Sequence, residues 1–185
     1  MKRPALEDDD EILMLRTGKG DRDAFRQLLE RHLDRIVAFA ARVLGDRSFA
    51  EDIAQETFLR LWTHARDWQP TAKLTTWMYR VALNLCLDRR RRPVPVPLAA
   101  AGDPPDTAPD ATAAIAEDET ARLVAAALAE LPERQRAALV LSYYEGLSNA
   151  ETAEVLGATV GGVEALLVRA RRALREKLRP RLAAI

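Results

Sequence analysis

Trp77, Arg80, Asn84, Asp88 and Arg91 recur at spacings of three and four residues, so on a helix they share one face. An indole stacks on an unpaired base, worth about 1–3 kcal/mol, while arginine and asparagine hold the flanking backbone and base edges. That mixture suits capture of single-stranded or melted DNA. A second group, Glu164, Ala165, Val168 and Arg169, lies near the C-terminus at the start of a helical stretch. Arginine reads guanine, glutamate accepts from cytosine N4, and apolar groups touch the thymine methyl, so these four are candidates for contact with base edges in a major groove. Thr159, in the turn before them, joins the same face. Arg171, Arg172, Arg175 and Lys177 lie further along and suit phosphates, which position a protein without specifying sequence.

Catalytic and metal chemistry have little to stand on. Cys86 is the single cysteine and His32 and His64 are the two histidines, so an internal disulfide is excluded and no ligand cluster has zinc spacing. Cys86, between Leu85 and Leu87, is expected to pack in a core. There is no nucleophile–base constellation and no phosphate-cradling glycine loop. The chain is expected to be neither an enzyme nor a cofactor protein.

The elements that position these residues are helical. Phe25, Leu28, Leu29, Ile36, Val37, Ala40, Val43 and Leu44 recur at helical spacing, with Asp21 or Asp23 as a start signal and Gly45 as a stop. The next helix is expected to begin at Ser48, with Glu51 completing a capping box, and to bury Ala54, Phe58, Leu61, Trp62 and Ala65. A third opens at Thr75 or Thr76, ends in Arg89 to Arg92 ahead of Pro93, and has Met78, Val81, Ala82 and Leu85 as its core face. Residues 93–119 hold six of the ten prolines and no basic residue, a composition that reads as a flexible linker. Beyond it, Leu123, Val124, Ala127, Leu128 and Leu131 mark a helix closed by Pro132, from which another runs to Gly146. Ser148-Asn149-Ala150-Glu151 is a further capping box, opening a short helix that stops at Gly157; a long helix starts at Val160. Helix, tight turn and helix make a helix-turn-helix, with Ala150, Ala153, Gly157 and Gly161 expected at the crossing. No alternating β-branched run survives, so the fold class is all-α. Two small helical domains are expected, at 1–92 and 120–185, joined by the linker.

The formal net charge of zero hides a pattern. By segment it is −2 over residues 1–65, +5 over 66–92, −6 over 93–120, −2 over 121–160 and +5 over 161–185. Two basic patches separated by acid suit two contacts on one polyanion, with the acidic remainder free for a different partner. No stretch approaches the roughly 18 apolar residues of a membrane span, and Met1 to Glu11 does not read as a signal peptide. A cytoplasmic chain without membrane insertion is expected.

Four blocks carry a resemblance: Asp23-Ala24-Phe25, then Ala50-Glu51-Asp52-Ile53-Ala54-Gln55-Glu56-Thr57-Phe58, then Thr76-Trp77-Met78-Tyr79-Arg80-Val81-Ala82-Leu83-Asn84, then Leu131-Pro132-Glu133-Arg134-Gln135-Arg136. In this order, with a linker and a terminal helix-turn-helix, the chain closely resembles the extracytoplasmic-function (group IV) sigma factors of bacterial RNA polymerase. The resemblance implies an alternative sigma factor that binds core polymerase, through the β′ clamp coiled coil and the β subunit, and recognises promoter DNA. It places Asp52, Gln55 and Glu56 on the β′ coiled coil. It makes the loop Arg66 to Lys73 and the following helix the captors of a flipped minus-10 base, with Lys73, Thr76, Trp77, Tyr79, Arg80, Asn84 and Arg91 as candidates. Helical phase turns Tyr79 away from Trp77. It also implies control by an anti-sigma factor and a monomer when free of partners. Many members carry a basic residue or serine where this chain has Glu164 and Ala165, which leaves the minus-35 sequence open. The alternative is a conventional helix-turn-helix regulator acting on duplex DNA.

Overall fold

The computed structural model describes residues 5–69, 73–91 and 113–182. Among them are eight α-helices, α1 (Ala5–Gly18), α2 (Arg22–Leu44), α3 (Ala50–His64), α4 (Leu74–Arg91), α5 (Ala113–Ala129), α6 (Glu133–Leu139), α7 (Asn149–Leu156) and α8 (Val160–Leu182), and no strand. The all-helical expectation holds. Most of the expected linker, residues 93–112, lies outside the described residues; its last seven residues belong to α5.

Helix α2 is the post around which the N-terminal half is built. The Asp21 carboxylate accepts from the backbone N–H of Asp23 and Ala24 at 3.0 and 3.1 Å, and Gly45 ends the helix at φ 72°, satisfying backbone groups that a helix end otherwise orphans. Its apolar stripe, Leu28, Ile36, Phe39, Ala40 and Val43, is buried against α3 and α4. Helix α1, for which the acid-rich sequence gave no signal, packs Leu13 and Met14 into the same core. Its buried Asp10 binds His32 Nε2 at 2.7 Å and Arg31 Nη1 at 2.9 Å. Burial opposes ionisation of Asp10, but these two partners outweigh it and hold the carboxyl below its usual range.

Helix α3 starts differently from expectation. Ser48 donates to Asp46 through both backbone N–H and hydroxyl, at 2.9 and 2.8 Å, so its side chain closes a turn. Phe49 occupies the cap position without a side-chain hydrogen bond.

In the C-terminal half, Pro132 is the residue before α6 and not within its first turn. The helix continues into a wide turn over Val140–Tyr144 and stops at Gly146, φ 70°. The capping box on α7 is present as expected: Ser148 Oγ accepts from the Glu151 N–H at 3.2 Å, and Glu151 Oε2 accepts from the Ser148 N–H at 2.9 Å. Gly157 reverses the chain at φ 57°, and Thr159 Oγ1 caps α8 by accepting from the Gly162 N–H at 3.1 Å. Val163, Leu167 and Ala170 are buried along α8. Of the four small residues expected at the crossing, only Ala153 is buried; Gly157 and Gly161 have open space beside them. Gly157 is needed for its backbone angle, not for close approach.

The two halves are packed together. Helix α7 lies across α4, and α5 leans on α2. Arg136 of α6 is fully buried, donating to the Ala129 carbonyl at 3.1 Å; a Cβ on Gly45 would fall 2.9 Å from its Nη1. The guanidinium therefore sits at the C-terminal ends of both α2 and α5, where the helix dipoles are negative. Helix α4 is consequently buried on two sides. Leu74, Met78, Ala82 and Cys86 form one stripe; Tyr79 and Leu83, outside the expected core face, are buried as well.

Helix α1 approaches the turn after α3 so closely that a Cβ on Gly18 would lie 2.3 Å from the Ala65 carbonyl oxygen. Gly18→Ala is therefore expected to cost about 1–3 kcal/mol, or roughly 2–4 °C in Tm per kcal/mol for a chain of this size. Thermal unfolding followed by circular dichroism measures it, and an unchanged Tm would contradict this packing.

Candidate nucleic-acid interface

Helix α4 brings the first group of candidates to one surface, in two different environments. Trp77, at its first turn, is half-buried and stacked on the His64 imidazole at 5.0 Å between ring centroids, with 6° between planes. Trp68, buried, meets the indole edge-on at 6.2 Å. These rings come from α3, from the turn that follows it and from α4, so an aromatic platform is assembled from three elements. The imidazole takes one face of the indole and leaves an incoming base at most the other. Further along, Asn84, Asp88 and Arg91 are exposed and line a cleft of about 440 Å3 with Arg60, Arg134 and an apolar wall that includes Leu83, Val155 and Leu156.

Lys73, just before α4, and Arg80 and Tyr79 on it meet the C-terminal half. Lys73 Nζ lies 2.8 Å from Glu151 Oε1, and Arg80 Nε donates to the Glu154 carbonyl at 3.1 Å. Tyr79 is buried against Phe39, at 5.0 Å between rings, and its hydroxyl donates to Glu145. Burial first, then that hydrogen bond and the negative charge of Glu145, push the phenol far above its ordinary range. Thr76 is also buried, at 3% exposure. In this arrangement Trp77, Asn84 and Arg91 are reachable from outside, whereas Thr76 and Tyr79 are not.

The second group is free of such cover. Glu164, Ala165, Val168, Arg169, Arg171 and Arg172 are all exposed on α8, and Val168 is 58% exposed although apolar. Arg171 folds back to its own Leu167 carbonyl at 3.3 Å and Arg172 pairs with Glu176 at 3.0 Å, both along the same helix. Thr159, exposed, already serves as the cap of α8.

On α3, Asp52 and Gln55 are exposed, and Glu56 pairs with Arg60 at 2.8 Å. Leu59 stands beside them, one turn beyond Gln55 and 58% exposed. Sequence reasoning passed over this residue; the signal was a leucine out of phase with the buried stripe Ala54, Phe58, Leu61. Nor did it foresee the contacts of Glu133, Glu145 and Glu151 with the N-terminal half, whose partners are contributed by α4, by α2 and by the residue before α4, respectively.

Comparisons with known proteins fall on the same two halves. Residues 28–93 match the family model described as Sigma-70 region 2, and residues 121–174 that of Sigma-70, region 4. The ECF RNA polymerase sigma factor SigW of Bacillus subtilis is 35% identical over 172 residues, covering 87% of this chain and 92% of the relative. The RNA polymerase sigma-H factor of Pseudomonas aeruginosa is 31% identical, covering 95% of this chain and 97% of the relative. Among solved structures, CnrH in complex with the cytosolic domain of CnrY superposes with a TM-score of 0.71 at 32% identity, over 93% of this chain and 98% of that one. The sigma factor RpoE of Bartonella quintana, in complex with the anti-sigma factor NepR, shares the fold with a TM-score of 0.67 at 23% identity, over 84% and 96%.

Glu151 links the α7 cap to Lys73. Partial burial works against its ionisation, but hydrogen bonds from Lys73 and Ser148 prevail and bring its carboxyl down to about 2, from an ordinary 4.5. A depressed carboxyl contributes stability that is fully present above pH 4.5 and lost as pH falls toward 2. Glu151→Gln is therefore expected to be less stable than the wild type at pH 7, with the gap narrowing between pH 5 and pH 3. Urea unfolding midpoints at several pH values measure it; a gap independent of pH would contradict the assignment.

Proposed function

Because this chain belongs to the extracytoplasmic-function sigma factors of bacterial RNA polymerase, we propose that α3 docks on core polymerase, α8 reads the minus-35 element and α4 captures unpaired minus-10 bases. The observation that carries this reading is the pairing, within one chain, of an exposed helix-turn-helix face with an aromatic and amide surface suited to unpaired DNA. Extruding one base costs a few kcal/mol, which stacking and hydrogen bonding can offset, whereas each base-pair step of a bubble costs on average about 1.4 kcal/mol in lost stacking. A domain of this size nucleates melting; polymerase sustains it.

The residue roles follow from chemistry. Asp52, Gln55 and Glu56 offer carboxylates and an amide to the β′ clamp coiled coil, with the exposed Leu59 giving that surface an apolar centre. Trp77 stacks on a base with Asn84, Arg80, Arg91 and Lys73 around it. Thr76 and Tyr79 can take part only after α4 is uncovered. Glu164, Ala165, Val168 and Arg169 meet base edges, and Thr159, Arg171 and Arg172 hold the phosphates alongside. The work is binding and positioning, with no covalent step by the chain and no cofactor, and it takes place where polymerase is, in the cytoplasm. Among the described residues no helix is long and apolar enough to cross a membrane. The solved relatives complexed with CnrY and with the anti-sigma factor NepR support control of this chain by an anti-sigma factor, and the free chain is taken as a monomer.

Transcription from a target promoter with purified core polymerase tests the reading. The Trp77→Ala/Asn84→Ala double variant is expected to lose initiation by at least about tenfold, equivalent to roughly 1.4 kcal/mol, and to recover part of it on a template premelted at the minus-10 element. Failure of the wild type to initiate with core, together with tight duplex binding by the protein alone, would favour a conventional regulator. At the minus-35 face, Arg169→Ala is expected to relax discrimination at one base pair by about 1–3 kcal/mol, read from competition between promoter variants; a uniform loss across sequences would instead make Arg169 a phosphate contact.

A further inference from the structure

One ring of the aromatic platform has no role in the residue assignments above. His64, in the last turn of α3, lies flat on the Trp77 indole, 5.0 Å between centroids and 6° between planes. Trp68 stands edge-on to both, at 5.9 Å and 86° from the imidazole and at 6.2 Å and 80° from the indole. Offset-stacked and edge-to-face pairs at these separations are the attractive arrangements of aromatic rings. Trp68 is buried, whereas His64 and Trp77 are half-buried, so the stacked pair forms the accessible part of the cluster. Helix α1 braces the backbone that carries it. A Cβ on Gly18 would lie 2.3 Å from the carbonyl oxygen of Ala65, the residue that follows His64.

We infer that His64 is a positioning residue for minus-10 capture: its imidazole fixes the plane of the Trp77 indole and closes one face, so that Trp77 receives a single base on the face opposite the imidazole. This inference rests on the reading of α4 as the minus-10 face.

The stack has two physical effects. An indole free to turn about its side-chain bonds has to be ordered when a base arrives, and that ordering weakens binding. Here the ordering is met when the chain folds, because Trp77 is held between its own helix and rings from α3 and from the turn that follows it. The second effect is on geometry. An indole open on both faces can wedge between two bases, whereas one already covered on one side can only end a stack. His64 thus acts through Trp77, without touching the base itself.

The test uses core polymerase loaded with the full-length chain and a fluorescein-labelled fork template, duplex through the minus-35 element and single-stranded across the minus-10 element. A second probe is the minus-35 duplex alone, and anisotropy gives the affinity for each. His64→Ala is expected to weaken fork binding by about three- to tenfold and to leave binding of the minus-35 duplex unchanged. His64→Phe, which keeps a flat ring and discards the ring nitrogens, is expected to restore fork binding. In a Trp77→Ala background, His64→Ala is expected to have no further effect, because the two residues act as one unit. Unweakened fork binding by His64→Ala overturns the inference, and so does an equal loss on both probes, which marks a general loss of structure. Failure of His64→Phe to rescue, or a loss that persists without Trp77, overturns it as well, since His64 would then act through its nitrogens or on the DNA directly. Trp77→Ala alone separates these failures from failure of the minus-10 reading: if it leaves fork binding intact, that reading falls, and if it weakens fork binding, that reading stands whatever His64 does.

Discussion

The carboxylate of Glu145 is almost withdrawn from water, and an ionised carboxylate in that position costs several kcal/mol unless charges and donors surround it. Here Arg35 and Arg42 come from α2 and a phenol hydroxyl from α4, while Glu145 itself belongs to the turn that leads into α7. One side chain thus requires three elements from both halves to be in place together. Arg42 also lies over the Tyr144 ring at 4.5 Å, and the fully buried Arg136 answers from the other side, at the ends of α2 and α5. Buried groups of this kind add little net stability compared with apolar packing, but they penalise every arrangement that leaves them unpaired. They specify where the halves meet more than how strongly.

That constraint explains the unequal state of the two DNA-suited faces. Helix α8 buries Val163, Leu167 and Ala170 against its own half and leaves the opposite side open, as an amphipathic helix docked on one neighbour does. Helix α4 has two neighbours. Its stripe Leu74, Met78, Ala82 and Cys86 faces the N-terminal bundle, while Tyr79 and Leu83 are buried along a second side. Trp77 and Asn84 remain at the margins of that second contact, reachable on either side of α7.

Much of this was legible in the amino-acid sequence, for local reasons. The Asp21 cap, the Gly45 stop, the Ser148 and Glu151 box and the exposed face of α8 each follow from residues a few positions apart. So did the family, because its motifs are contiguous. Errors arose where a local signal had a competitor: Ser48 could cap α3, but Asp46 is two residues away and takes both of its donors. Helix α1 was missed because its burial rests on Asp10, Leu13, Met14 and Thr17 among acids and exposed Ile12 and Leu15, a weak stripe made helical by what it packs against. The second buried side of α4 had no local signal, since the partners of Tyr79 and Arg80 lie more than sixty residues away.

Permanganate reactivity of promoter thymines tests the central claim most directly, because it reports unpaired bases at single-nucleotide resolution. The account predicts reactive thymines in the minus-10 region when core polymerase and this chain are both present, none with either alone, and a marked loss of reactivity when Trp77 is removed. Reactivity that forms equally well without Trp77, or that this chain produces on duplex DNA without core, would contradict it.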